Sequence, residues 1–123
     1  MSDLPNPRKG EATITIDGDD YLLRFNFRNL VQLQKALKIN GRQLFEAISN
    51  MDFDVLSTAI HEGIKAGMPQ GERAPSLAKL QDRMSFPEIG GYITSVMEAL
   101  QGGEFVDDAK KKLESKDEDE ADL

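Results

Sequence analysis

Residues 12–27 read "ATITIDGDDYLLRFNF", with Ala12, Ile14 and Ile16 on one side of a first arm and Tyr21, Leu23, Phe25 and Phe27 on one side of a second. Alternation with period two is the signature of β-strands, and the glycine between the arms makes this a β-hairpin. An isolated hairpin is at best marginally stable in water, so its apolar face has to be covered by other parts of the chain. Two registers compete. A turn at Asp17-Gly18 pairs Ile16 with Asp19 and sets an acid against the apolar face. A turn at Gly18-Asp19 pairs Ile16 with Tyr21, Ile14 with Leu23 and Ala12 with Phe25, which gathers the large apolar groups on one face. The second register is the expected one.

Beyond the hairpin the chain is patterned as helix. Leu30, Leu33 and Leu37, with Phe27 and Val31 beside them, recur at steps of three and four and make a stripe, with Asn40-Gly41 as its stop. A second helix over Arg42–Asn50 carries Leu44, Phe45 and Ile48 on one side. Asp52 caps a third that runs to about Ala66, with Val55, Leu56, Ala59, Ile60, Gly63 and Ile64 as its apolar face. "GMPQGERAPS", residues 67–76, lacks periodicity and reads as an exposed loop. A short helix over Leu77–Met84 precedes a longer one capped by Ser85, with Pro87 in its first turn, a stripe of Ile89, Ile93, Val96, Met97 and Leu100, and an end at Gly102-Gly103. Gly90-Gly91 inside that helix weakens it by about 1 kcal/mol per glycine relative to alanine, and close helix packing is the expected compensation.

The expected fold is therefore α+β: an N-terminal two-stranded antiparallel hairpin packed on a bundle of four or five helices. A length of 123 residues and 39% hydrophobic residues suit one domain with one modest core. The expected division is a flexible segment 1–10, a single domain 11–103 and a disordered acidic tail 104–123. That tail holds nine acidic and four basic residues, so it carries -5 of the net charge of -7 and leaves -2 on the rest. Its Phe105, Ala109 and Leu113, spaced by four, suit a segment that folds on a partner.

The residues offer little chemistry. With no cysteine there is no disulfide, thiolate nucleophile or Cys-ligated zinc, which fits a reducing compartment. His61 is the single histidine, and "HEGIK" lacks the second histidine of a zinc protease helix. "DGDD", residues 17–20, concentrates carboxylates, but Tyr21 and Leu22 interrupt the spacing of a calcium loop. Asp52 and Asp54 read as a helix cap and a first-turn acid. No glycine run precedes a Lys-Ser or Lys-Thr pair, and no serine sits in a Gly-x-Ser-x-Gly elbow. The expectation is a non-enzymatic protein with no catalytic residue, no cofactor and no metal. Arg24, Arg28, Lys35, Lys38 and Arg42 form the densest basic stretch, but Phe25 and Phe27 read as core and leave it without a base-stacking platform. Nucleic acid is therefore not an expected partner. No run approaches the roughly 20 apolar residues of a membrane span, and "MSDLPNPRKG" has no apolar stretch of a signal peptide, so the expected location is the cytoplasm.

One likeness is more specific. Asn6-Pro7, Gly10-Glu11, Asp17-Gly18, "YLLRF" at 21–25 and the stripe from Leu30 to Leu37 resemble the small tail proteins of gene transfer agents and their siphophage relatives, a family grouped with phage tail assembly chaperones. The resemblance extends more loosely through 52–67 and 86–104. It implies a role in building a long phage-type tail in the host cytoplasm: coating the tape measure protein, keeping its apolar helices soluble and bringing tail tube subunits to it. Self-association is left open. Bulky groups near helix ends, Phe45, Met51, Phe53 and Met68, are the expected partner contacts. The rival readings are a structural minor tail or tube-associated virion protein, and a small regulatory adaptor that binds nucleic acid through the Arg24–Arg42 stretch.

Overall fold

The computed structural model describes residues 10–101. The expected flexible segment 1–10 (apart from Gly10), the Gly102-Gly103 stop and the acidic tail with Phe105, Ala109 and Leu113 lie outside the described residues. Strands β1 (Glu11–Ile16) and β2 (Asp19–Arg24) are followed by helices α1 (Phe27–Leu37), α2 (Gly41–Ser49), α3 (Phe53–Gly67) and α4 (Leu77–Arg83). A 3-10 turn, Phe86–Glu88, then leads into helix α5, described over residues 89–101. The fold is the expected α+β arrangement of a hairpin laid on helices.

The hairpin forms in the register that the local pattern disfavours. Ile16 pairs with Asp19, Ile14 with Tyr21 and Ala12 with Leu23, so the turn is Asp17-Gly18. Both turn residues have positive φ, 52° and 83°, as a two-residue turn of type I′ requires, and Asp and Gly tolerate that conformation best. The acid opposite Ile16 is accommodated from a distance. Arg83, at the end of α4, reaches the hairpin tip, where it pairs with Asp19 and with Asp17 (3.4 Å), and donates to the Tyr21 hydroxyl (2.9 Å) and the Ile16 carbonyl (3.4 Å). The two registers differ by two residues and so keep the same inward face: Ala12, Ile14, Ile16, Leu23 and Phe25 are all buried.

Asn29 joins the hairpin to the helices. Asn26 caps α1 by accepting from the Asn29 N–H (2.8 Å), while the Asn29 amide oxygen accepts from the Asn26 N–H (2.7 Å) and its Nδ2 donates to the Arg24 carbonyl (2.8 Å). This buried asparagine thus makes a reciprocal cap and ties off the end of β2. Phe27 is a correction. Expected on the apolar face, it is 85% exposed, because the strand ends at Arg24 and Asn26 starts a helix whose first residue points outward. Asn40-Gly41 is a second correction. Helix α1 stops earlier, at Lys38 with φ 58°, and Asn40 instead begins α2 in a capping box with Gln43.

Helix α3 is the centre of the molecule and touches β2, α1, α2 and α4. Asp52 caps it by accepting from the Val55 N–H (3.2 Å), and the expected face Val55, Leu56, Ala59, Ile60, Gly63 and Ile64 is buried. The hairpin crosses its C-terminal half so closely that a Cβ at Gly63 would lie 2.8 Å from the Phe25 ring, and one at Gly67 would overlap the Leu22 carbonyl. Leu80 of α4 and Tyr92, Val96 and Ala99 of α5 complete the core. Each such aliphatic burial contributes about 1.5 to 3 kcal/mol.

Two expectations about α5 fail. Ser85 makes no side-chain cap; Pro87 shapes a 3-10 turn there instead, and the Ser85 N–H donates to the Tyr92 hydroxyl (2.9 Å). Gly90 and Gly91 meet no close helix, since a Cβ at either would find open space within 4 Å.

Candidate functional site

Helix α3 begins beside the passage from α4 to α5, and the apolar residues of these three segments enclose a groove of about 400 Å³. Leu56 and Tyr92, both nearly fully buried, form its floor, and half-buried Met84 and Ile89 form its sides. Two phenylalanines stand at its lip. Phe53 is 55% and Phe86 67% exposed, and their rings meet edge to face with centroids 5.8 Å apart. Local sequence places both: Phe53 is the first residue after the Asp52 cap, and Phe86 is held in the 3-10 turn that Pro87 helps to fix.

The buried polar atoms around the groove are already engaged. Ser57 Oγ donates to the Asp54 carbonyl (3.2 Å) and accepts from Gln81 Nε2 (2.9 Å), and the Tyr92 hydroxyl lies 3.3 Å from a Glu88 carboxylate oxygen. Among the described residues no buried side-chain nitrogen or oxygen lacks a hydrogen-bond partner. The groove therefore presents apolar surface without a polar group waiting for a ligand. Asp54 is the one acid in its lining.

Of the four contacts expected from sequence, Phe53 lines this groove. Met51, 45% exposed and in the left-handed region at φ 61°, lies two residues upstream and outside the lining. Phe45 is half-buried on α2. Met68 follows the other end of α3, about 22 Å from Phe53 at 1.5 Å per residue, and packs partly against the core. The structure does not bring the four together. Phe86, Met84, Ile89 and Tyr92 were missed; the one local signal was a bulky apolar residue directly before a proline, in the stretch joining two helices.

The remaining sequence candidates are dispersed. His61 is half-buried on α3, and burial first, then the Lys65 charge, hold its pKa below the usual 6.5 against a hydrogen bond to the Pro75 backbone and the charge of Glu62. Among the described residues no group of three His, Cys, Asp or Glu side chains could hold a metal ion. In the basic stretch Arg24 pairs with Glu11 (2.6 Å) and Arg42 with Glu46 (3.3 Å), and Phe25 is buried. No helix among the described residues is long and apolar enough to cross a membrane. Compared with protein-family models, with curated proteins and with solved structures, the chain matches none of them.

Proposed function

We propose that this protein is a non-enzymatic tail assembly chaperone of phage type, which holds apolar helical segments of a tape measure protein and presents them to tail tube subunits. The observation that carries the reading is the exposed Phe53–Phe86 pair over an apolar groove. Two solvent-facing phenylalanine rings beside a groove of this size suit an amphipathic helix, whose anchors at i, i+3 or i+4 and i+7 enter such a groove in sequence. Asp54 in the lining favours a helix with Lys or Arg beside its apolar face. The narrower assignment to tail assembly is supported by the likeness of the Asn-Pro entry, hairpin and first helix to small tail proteins of siphophages and gene transfer agents. A single groove on a small domain binds weakly, and many copies along one long helical partner supply the avidity.

Co-expression with a tape measure protein of a long-tailed phage is the direct test. The chaperone should raise the soluble fraction of that protein and co-purify with it, and a Phe53→Ser, Phe86→Ser double variant should do neither. Indifference of the long protein's solubility to this chain would reject the tail assembly reading. Co-purification undiminished by the double variant would reject the groove.

A further inference from the structure

A second surface is built on the opposite edge of the hairpin. The Phe25 N–H donates to the Gly10 carbonyl (2.8 Å), so Gly10 and Phe25 are a hydrogen-bonded pair. Antiparallel alternation then makes Ala12, Ile14 and Ile16 the residues bonded to β2 and turns the N–H and C=O of Thr13 and Thr15 to the outer edge. Among the described residues nothing pairs with the outward backbone of Thr13 or Thr15, and both threonines are exposed. Helix α5 runs alongside it in the opposite direction: a Cβ at Gly10 would lie 3.6 Å from the Ala99 carbonyl, whereas Gly91 and Ser95 face the stretch from Thr13 to Thr15. Between edge and helix lies a slot of about 410 Å³. Its helix wall carries Gly91, which weakens α5 and packs against nothing among the described residues.

We infer that this slot receives an extended segment of a partner protein, which adds to β1 as a third strand. The glycine that internal packing leaves unexplained gives a backbone room to approach the helix. Charge specifies the occupant further. Glu88 lies at the hairpin-tip end of the slot and Asp20 on the tip itself, and neither has an ion-pair partner among the described residues, so the segment carries Lys or Arg at that end and Gly, Ala or Ser opposite Gly91. A second copy pairing through its own β1 edge would have to bring its α5 into the same strip, which a single extended chain does not.

The test is selection of displayed random octapeptides on the full chain, with amide hydrogen exchange as the structural readout. Selected peptides should have a basic residue at one end and small residues within. At saturation they should slow exchange at the Thr13 and Thr15 amides by about tenfold or more. Gly91→Leu, which fills the slot from an open helix surface, should weaken them by a similar factor, and Gly90→Ala, which stiffens α5 without lining the slot, should not. Failure to enrich any peptide over the Gly91→Leu protein, an acidic consensus, or protection confined to residues outside β1 would overturn the proposal. So would Thr13 and Thr15 amides already protected in the free chain, because the edge would then be occupied by its own tail or by a second copy.

Discussion

Gly67 lies against the carbonyl of Leu22 with no room for a side chain between them, and Gly63, one turn earlier, meets the Phe25 ring in the same way. The hairpin is seated on α3 through these two positions. Gly63→Ala and Gly67→Ala should therefore each destabilise the protein by about 1 to 3 kcal/mol, as overpacking of a tight contact does. At Gly67 the obstacle is backbone, so it should be the worse of the two. Gly90→Ala, placed in open space, should instead stabilise by up to about 1 kcal/mol. Urea unfolding midpoints of the three variants check the ordering.

Asn29 is the joint between sheet and helix, and each of its side-chain polar atoms has a partner. Asn29→Ala leaves the Asn26 N–H and the Arg24 carbonyl without theirs in a partly buried place, which should cost about 1 kcal/mol. Asn29→Asp keeps the acceptor towards Asn26 but loses the donor towards Arg24, and should fall between. Thermal unfolding distinguishes them.

Arg83 braces the hairpin tip. Its hydrogen bond to Asp19, then that to Tyr21, hold the guanidinium protonated well above its ordinary range. Arg83→Met should loosen the tip and leave the far end of the hairpin in place. Amide exchange should accelerate at Ile16 and Asp19 and remain slow at Phe25, whose N–H is bound to Gly10. Uniform acceleration along both strands would show that Arg83 supports the whole ribbon instead.

How much of the fold and groove was legible depends on how local each cause is. The buried face of α3 and its Asp52 cap lie within 13 consecutive residues, 52 to 64, and could be read directly. The inward face of the hairpin was legible because both registers share it. The register itself was not, since the cation that makes Asp19 acceptable stands 64 residues away. The end of α1 was misread because Lys38 takes a left-handed conformation that its side chain does not advertise, whereas Asn40-Gly41 carries the usual stop residues and serves as a start. Phe27 was misread because alternation was extended past the last strand residue. The groove draws on 53–57, 81–86 and 89–92, so only its Phe53 edge could be singled out before the three segments were placed together.

His61 supplies a pH dependence of known sign. Its folded pKa is depressed below 6.5, chiefly by burial and then by Lys65, so the unfolded chain binds the proton more readily. The stabilisation is present above the unfolded value of 6.5 and is lost as pH falls through the lower folded value. The effect is small, because the ring is half exposed. His61→Gln should flatten the stability profile between pH 7 and the folded pKa, and NMR titration of the wild-type ring should place its midpoint below 6.5.

Phe53 and Phe86 separate binding from folding most cleanly. Both rings are more than half exposed, so truncating one gives up only the buried minority of its area together with their edge-to-face contact, about 1 to 3 kcal/mol in all. Phe53→Ser and Phe86→Ser should each leave the protein folded with a stability loss in that range, and the double variant should lose less than the sum, because the first substitution already removes the shared contact. Binding of an amphipathic helix should respond differently. A ring that closes over the helix on binding buries only its remaining exposed half to two thirds, about 1 to 2 kcal/mol, so each single variant should weaken a helical probe by roughly five- to thirtyfold. Calorimetric titration with a Leu-rich helical peptide flanked by lysines, run beside urea unfolding of the same samples, measures both. An affinity unchanged by either variant would mean that the two rings merely close the core, and that helix partners dock elsewhere.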